Sequence, residues 1–262
     1  MVRVLALILL GFAVLGMGME QPSIEARYKP ILLVDGYLFR DLNGNGYLDV
    51  YEDWRRPVDE RVEDLLSQMT LAEKVAQMMH PTFIPRPDGS PPPFMEKWMR
   101  DLQIGFVLVR DLPSARAAAE CMNRLQEWCE QSRLGIPVVV SMDSIHGLSY
   151  VNGGLVYPHN LGLAAIGDLE LVRALVEASR QEHLAVGVRM TLSPNADLAT
   201  EPRWGRVYEC PGDDPVFAAE VVRIQVETYQ HGTSLNSQSV LVCVKHFPGA
   251  GPQMEGVDMA PI

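Results

Sequence analysis

The stretch VLVCVKHFPGAGP, residues 240–252, runs five apolar residues straight into Lys245 and His246. A lysine and a histidine at the end of a buried run need water, an ion pair or a ligand. Three earlier apolar runs finish the same way. IGFVLVR ends in Arg110 and then Asp111, and PVVVSMD ends in Asp143, with His146 close behind. VRMTLSPNADL carries Asn195 and Asp197 and leads into Glu201, Arg203, Trp204, Arg206 and Glu209. Singly, each of these residues has a bland explanation as a cap or an ion pair. Four such clusters in register suit a polyhydroxylated ligand. Carboxylates and cations would hold its hydroxyls by charge-assisted hydrogen bonds, and Trp204 would cover an apolar sugar face.

Something must bring the clusters together, and the chain between them supplies it. Strand-like runs alternate four times with segments of apolar period 3.6, at Ser114–Ser132, Asp168–Ala185 and Asp214–Gln230. Near-continuous apolar strands separated by helices predict a parallel sheet in an α/β fold. Ligands in such folds bind at the C-terminal strand ends, where all four clusters lie. No glycine-rich phosphate fingerprint follows the first strand, which argues against a dinucleotide site. Upstream, Val62, Leu65, Leu66 and Met69 fall at helical spacing, and Thr70 with Glu73 forms a capping box for a further helix. The proline-rich segment Pro81–Pro93 reads as a surface connection or lid.

Composition sets the outer bounds. The 262 residues carry 22 basic and 33 acidic side chains, a formal charge of −11. An acidic chain with no basic run is a poor partner for nucleic acid. Residues 1–19 have the layout of a secretory signal peptide, with Arg3, an apolar stretch and small residues behind it. The apolar run is shorter than the ~20 residues of a spanning helix. The chain is therefore expected to be exported, with no membrane attachment once the signal is removed. Cys121, Cys129, Cys210 and Cys243 follow no disulfide or zinc spacing and are expected to be free thiols, with Cys243 buried in its apolar run.

Residues 20–56 read as a polar lead-in that holds a second motif. DLNGNGYLDVYE, residues 41–52, fits a calcium-loop pattern throughout. Calcium takes six to eight oxygens. Asp41, Asn43 and Asn45 offer side-chain oxygens, Tyr47 a backbone carbonyl, Asp49 a direct or water-bridged contact, and Glu52 both carboxylate oxygens. With no entering helix before it, the loop is expected to be a structural ion clip rather than a sensor.

The motifs EDLLSQMTLAEKVAQM, SMDSIHG, PHNLGLAA, SPNADLATEPRWGRVYECPGDDP and VKHFPGAG together resemble the N-terminal domain of glycoside hydrolase family 3, of the β-glucosidase and β-xylosidase type. The resemblance runs from Asp41 to the C-terminus, and its PRWGR and KHFPG motifs are the most specific. It implies a (β/α)8 TIM-barrel-type domain over residues 57–262, with about the first half of the barrel present. It implies that Asp143, Arg206, Lys245, His246 and Asp258 bind the sugar, with His146, Trp204 and Glu209 supporting them. The implied reaction is exo-acting hydrolysis of β-linked glycosides with retention, on an oligosaccharide or an aryl glucoside, with no cofactor for catalysis.

Retention requires a nucleophilic carboxylate and an acid/base carboxylate about 5–5.5 Å apart. By resemblance both are expected beyond residue 262, since the family's short Ser-Asp-Trp-like motif does not occur in the chain. An open half-barrel would leave a sheet edge and apolar helix faces exposed. β-Xylosidase is a close alternative. β-N-acetylglucosaminidase ranks lower, because AGPQMEGVDM lacks that branch's Asp-x-His pair. A non-catalytic sugar-binding module is the alternative from a different class.

Overall fold

The structure is a computed structural model that describes residues 20–247, 249–251 and 253–258. Residues 1–19, expected to be a signal peptide, lie outside the described residues. The lead-in holds a short antiparallel hairpin, β1 (Ile31–Val34) with β2 (Tyr37–Arg40), in which Ile31 faces Arg40. Its turn, Asp35–Gly36, has positive φ at both residues, as a two-residue hairpin turn requires.

The main sheet is parallel, in the order β3 (Thr82–Phe83), β4 (Phe106–Val109), β5 (Val139–Met142), β6 (Met190–Thr191) and β7 (Leu241–Val242). Every strand pairs with its neighbours in sequence. A doubly wound sheet reverses its order at a switch point, and this one does not. It is an arc of a (β/α) barrel. The four expected strands are present, each shorter than its apolar run, and β3 is a fifth inside the segment read as a surface connection. Two residues bounded by prolines carry too little period-2 signal to announce a strand.

Helices α1 (Val58–Gln68) and α2 (Leu71–Gln77) precede the main sheet, α3 (Phe94–Glu96) follows β3, α4 (Ala115–Glu130) follows β4, α5 (Asn160–Ile166) and α6 (Leu169–Val186) follow β5, and α7 (Pro215–Gln230) follows β6. Their starts are written in the sequence. Ser114 caps α4, Asp168 caps α6, and Asp214 caps α7 with Pro215 behind it, each side chain accepting orphan N–H groups of the first turn. Gly187 ends α6 at φ +81°, a left-handed position suited to glycine. One core cluster joins β4, β5 and α4 through Val107, Val109, Leu125, Val140 and Met142. A second packs α6 and α7 through Val172, Val176, Ile224 and Tyr229.

Apolar surface is exposed at both ends of the arc, as an open barrel requires. Leu71 is 79 % exposed and Met78 83 % on the β3 side. On the β7 side, Val216 is 78 % exposed. An apolar groove there runs past Ala196, Leu198, Pro215, Ala218 and Val222. The same edge corrects one expectation. Cys243 is exposed, because it follows the outermost strand, whereas Cys121, Cys129 and Cys210 are buried; all four are free.

The capping box of α2 is also an ion-pair site. Thr70 Oγ1 accepts from Glu73 N, and Glu73 takes Arg133 on both carboxylate oxygens at 2.9 and 2.6 Å. Arg133, the Thr70 bonds and Gln103 hold the Glu73 carboxyl at about 2, against the opposing pull of burial. A depressed folded pKa gives stability that is full above the unfolded value of about 4.5 and is lost as pH falls toward 2. Glu73→Gln is expected to cost about 1–3 kcal/mol at neutral pH and to flatten the acid limb between those values. Thermal melts of both proteins across that range check it. Parallel curves would contradict it.

Candidate functional site

The strand ends do converge. Asp143, immediately after β5, has its Oδ1 2.9 Å from Lys245 Nζ and its Oδ2 bonded to Arg110 Nη2. Lys245 follows β7 and Arg110 follows β4, so one carboxylate ties three strand ends together. Burial pushes the Asp143 carboxyl up, but Lys245 and Arg110 outweigh it and hold it below the usual carboxylate range. Asp143 is therefore an ionised acceptor with both oxygens fixed.

A second cluster stands beside it. Asp197 is 1 % exposed and accepts from His246 Nδ1 at 2.7 Å, from His246 N at 3.2 Å and from Ala250 N at 2.7 Å. His246 Nε2 lies 3.4 Å from Arg206 Nη1. Arg206 in turn forks onto Glu209, at 3.0 Å from Nε and 2.8 Å from Nη2, and Glu209 also accepts from Asn195 Nδ2 at 2.6 Å. Glu209, against the cost of burial, raises the Arg206 pKa further, so the guanidinium is a fixed charge. The loop after β7 docks on the loop after β6: Asn195 bridges Lys245, Ala196 N donates to Lys245 O at 2.6 Å, and Lys245 N donates to Pro194 O at 3.0 Å. A Cβ on Gly251 would fall 1.8 Å from the Leu198 carbonyl oxygen, so that close approach explains the second glycine of PGAG.

Trp204 corrects the sequence reading. It is 1 % exposed and covers no ligand face. Its Nε1 donates to Asp258 Oδ1 at 2.8 Å, and its ring lies 5.9 Å from the Arg206 guanidinium. Trp204 is a buried floor under Arg206. Asp258 is engaged from below by that indole. His146 stacks on His159 at 3.8 Å, and His159 meets Tyr208 edge-on at 4.5 Å. His146 Nδ1 bonds the Tyr157 carbonyl at 3.0 Å. Burial first, then the neighbouring His146, lower the His159 pKa. The stack braces the loop carrying Tyr208 and Glu209.

Asp197 and Arg110 are picked out in the sequence by their strand-end position, but the family resemblance gives neither a role. Asp197 anchors His246, and Arg110 shares Asp143 with Lys245.

The calcium-like loop lies apart, packed against α1. Asp41 accepts from Asn45 N at 3.0 Å and Gly46 N at 2.9 Å. Asn43 and Asn45 both donate side-chain amides to Asp49 Oδ2, at 2.6 and 2.8 Å. Glu52 accepts from Leu42 N at 2.6 Å and Asp49 N at 3.0 Å. Tyr47 N donates to Asn45 Oδ1 at 2.7 Å. Burial, with Asp49 adding, raises the Glu52 carboxyl against those backbone bonds. The loop is rich in oxygens, the donor type calcium takes, and its carboxylates are turned onto backbone N–H groups at Asp41 and Glu52 and onto two side-chain amides at Asp49. Among the described residues no group of three His, Cys, Asp or Glu side chains is placed to hold a metal ion, so amide and backbone oxygens would have to complete the shell.

Fold and site define a (β/α)-barrel-type domain with its polar cluster at the C-terminal strand ends. The chain belongs to glycosyl hydrolase family 3, whose N-terminal domain model matches residues 70–260. It is 41 % identical, over 94 % of its length, to a periplasmic β-glucosidase/β-xylosidase of Dickeya chrysanthemi, of which it spans 40 %. It resembles the structure of a β-glucosidase from Erythrobacter marinus with a TM-score of 0.70 and 27 % identity, covering 81 % of this chain and 29 % of that one. A mutant β-glucosidase from Listeria innocua in complex with laminaribiose is similar at 33 % identity and TM-score 0.61, over 76 % of this chain and 28 % of that one.

Proposed function

We propose that this chain is the sugar-binding part of an exported, exo-acting retaining β-glycosidase of the β-glucosidase type. The observation that carries the proposal is the fixed, ionised Asp143 held between Lys245 and Arg110, with Arg206 and His246 beside it. A sugar ring presents hydroxyls that both donate and accept, and this site offers one anionic acceptor among several cationic donors. In this reading Asp143, Lys245, Arg206 and His246 hold one ring. Glu209, Asn195, Trp204 and His146 keep those groups in place, and Asp258 approaches the ring beside Trp204. The nucleophilic and acid/base carboxylates are assigned to chain beyond residue 262, which accords with the 40 % of the Dickeya relative that this chain spans. Export rests on the signal-like residues 1–19 and on the periplasmic relative. Among the described residues no helix is long and apolar enough to cross a membrane.

The test is turnover of aryl β-glucoside and β-xyloside by protein extended to the end of its reading frame. The β-anomer of the sugar is expected as first product, with no turnover by residues 1–262 alone. Turnover by residues 1–262 that is lost in Asp143→Ala would overturn the division of labour. An inverted product would overturn the mechanism.

The loop 41–52 is proposed as a structural calcium clip. What supports this reading is the sequence, which matches the oxygen-rich calcium-loop spacing at Asp41, Asn43, Asn45, Gly46 and Glu52. Calcium at 100 times its Kd is expected to add about 2.7 kcal/mol to stability. Glu52→Gln should abolish the calcium-dependent rise in Tm. An unchanged Tm in chelator and in calcium would sink this reading.

A further inference from the structure

Arg110 pairs differently from Arg206, the other arginine of the site, and from several further arginines of this protein. Arg55, Arg180, Arg203 and Arg206 each fork onto their carboxylate through both Nε and Nη2. That two-bond geometry is what a guanidinium uses to hold a carboxylate for stability. Arg110 touches Asp143 through Nη2 alone. Its Nε is buried with no partner among the described residues, and a buried donor left unmade is costly. The side chain is 41 % exposed, against 12 % for Asp143 and 17 % for Lys245. Arg110 is thus the outermost charge of the trio, and its remaining N–H groups are unspent.

The backbone around it is pinned. Leu112 N donates to Tyr150 O at 2.8 Å, and Asn152 N donates back to Leu112 O at 2.9 Å. The guanidinium lies 5.6 Å from the Tyr150 ring. Between them Asp111 takes φ +61°, a left-handed conformation that a non-glycine residue adopts at a cost. Unspent donors, a one-bond grip and a strained neighbour describe a group held for a ligand.

We propose that Arg110 is a specificity-determining residue of the sugar subsite: its guanidinium and the Asp143 carboxylate together hold one hydroxyl, which donates to Asp143 and accepts from Arg110. The proposal rests on the β-glycosidase reading above. An acceptor and a donor side by side match a hydroxyl, which is both. A sugar lacking that one hydroxyl loses both of those bonds and leaves a guanidinium N–H facing the ligand with nothing to donate to, so it binds more weakly.

The test is a cycle between the side chain and the substrate. Glucose and each monodeoxyglucose are titrated calorimetrically into the full-length protein and into its Arg110→Gln and Arg110→Lys variants. Turnover of the matching aryl β-glucosides is measured in parallel. For wild type, one deoxy position is expected to weaken binding by about 10- to 100-fold, the worth of a charge-assisted hydrogen bond. Arg110→Gln should weaken glucose by a similar factor and shrink that one penalty to within about threefold, leaving the others unchanged. Arg110→Lys should restore part of it. Penalties identical to wild type at every position would show that Arg110 only steadies Asp143, and would overturn the proposal. If Arg110→Gln fails to fold, the lysine variant carries the cycle, and full wild-type penalties in it count against the proposal. If glucose binds but no aryl glycoside is turned over, the enzymatic reading fails while the binding cycle still decides Arg110. If wild type binds no sugar, both fall.

Discussion

Replacing Asp143 with alanine is expected to lower kcat/KM on an aryl β-glucoside by about 150- to 20,000-fold. The range corresponds to two charge-assisted hydrogen bonds of about 1.5–3 kcal/mol each. The loss has two sources. The sugar loses its anionic acceptor, and Lys245 and Arg110, which share that carboxylate, are left facing each other with no counter-ion. Asp143→Asn keeps the shape and removes the charge, so most of the loss should persist in it. The folded carboxyl lies below its ordinary value. Its contribution to stability is therefore present above the unfolded pKa and lost as pH falls through the folded one. The acid limb of activity should then belong to other groups and be unmoved in Asp143→Asn. Steady-state kinetics with a thermal melt of each variant separate function from folding. Activity within about threefold of wild type, well short of one lost charged bond, would contradict the assignment.

Glu209→Ala is expected to be the most damaging single change to stability in the site. Glu209 is 5 % exposed and meets Arg206 through both oxygens and Asn195 through one. Deleting it strands a guanidinium and a buried amide together, and breaking such a pair from one side costs about 3–5 kcal/mol. For a domain of this size each kcal/mol is about 2–4 °C, so Tm should fall by roughly 10 °C. Arg206 would also lose its orientation toward His246, so KM should rise. Glu209→Gln keeps one or two of the three bonds and should cost less than half as much. A loss under about 1 kcal/mol, the worth of an exposed pair, would contradict the supporting role.

Much of this was legible in the residues. The apolar runs at Val107, Val140 and Val240 marked their strands because buried parallel strands are apolar on both faces. Ser114, Asp168 and Asp214 marked helix starts because a side-chain oxygen there is worth a hydrogen bond. The strand-end polar residues marked the site. What escaped has physical reasons. Thr82–Phe83 is held in the sheet by pairing with Leu108 and Val109, a tertiary contact that two residues cannot encode locally. Trp204 has the chemistry of a sugar platform, but which way an indole faces depends on packing, and here Asp258 draws its N–H inward. Cys243 sits in an apolar run whose burial depends on a neighbouring strand that the arc does not include. Arg110 was visible as a strand-end charge, yet its one-bond grip on Asp143 is a fact of geometry alone.

The most direct measurement is a crystal structure of the protein with glucose bound. One ring is expected at the strand ends, with hydroxyls at hydrogen-bond distance, about 2.6–3.2 Å, from Asp143 and Lys245, and with Arg206 and His246 on other sides of the same ring. Glucose seated elsewhere, for instance in the apolar groove beside α7, with Asp143 and Lys245 untouched, would contradict the sugar subsite built here.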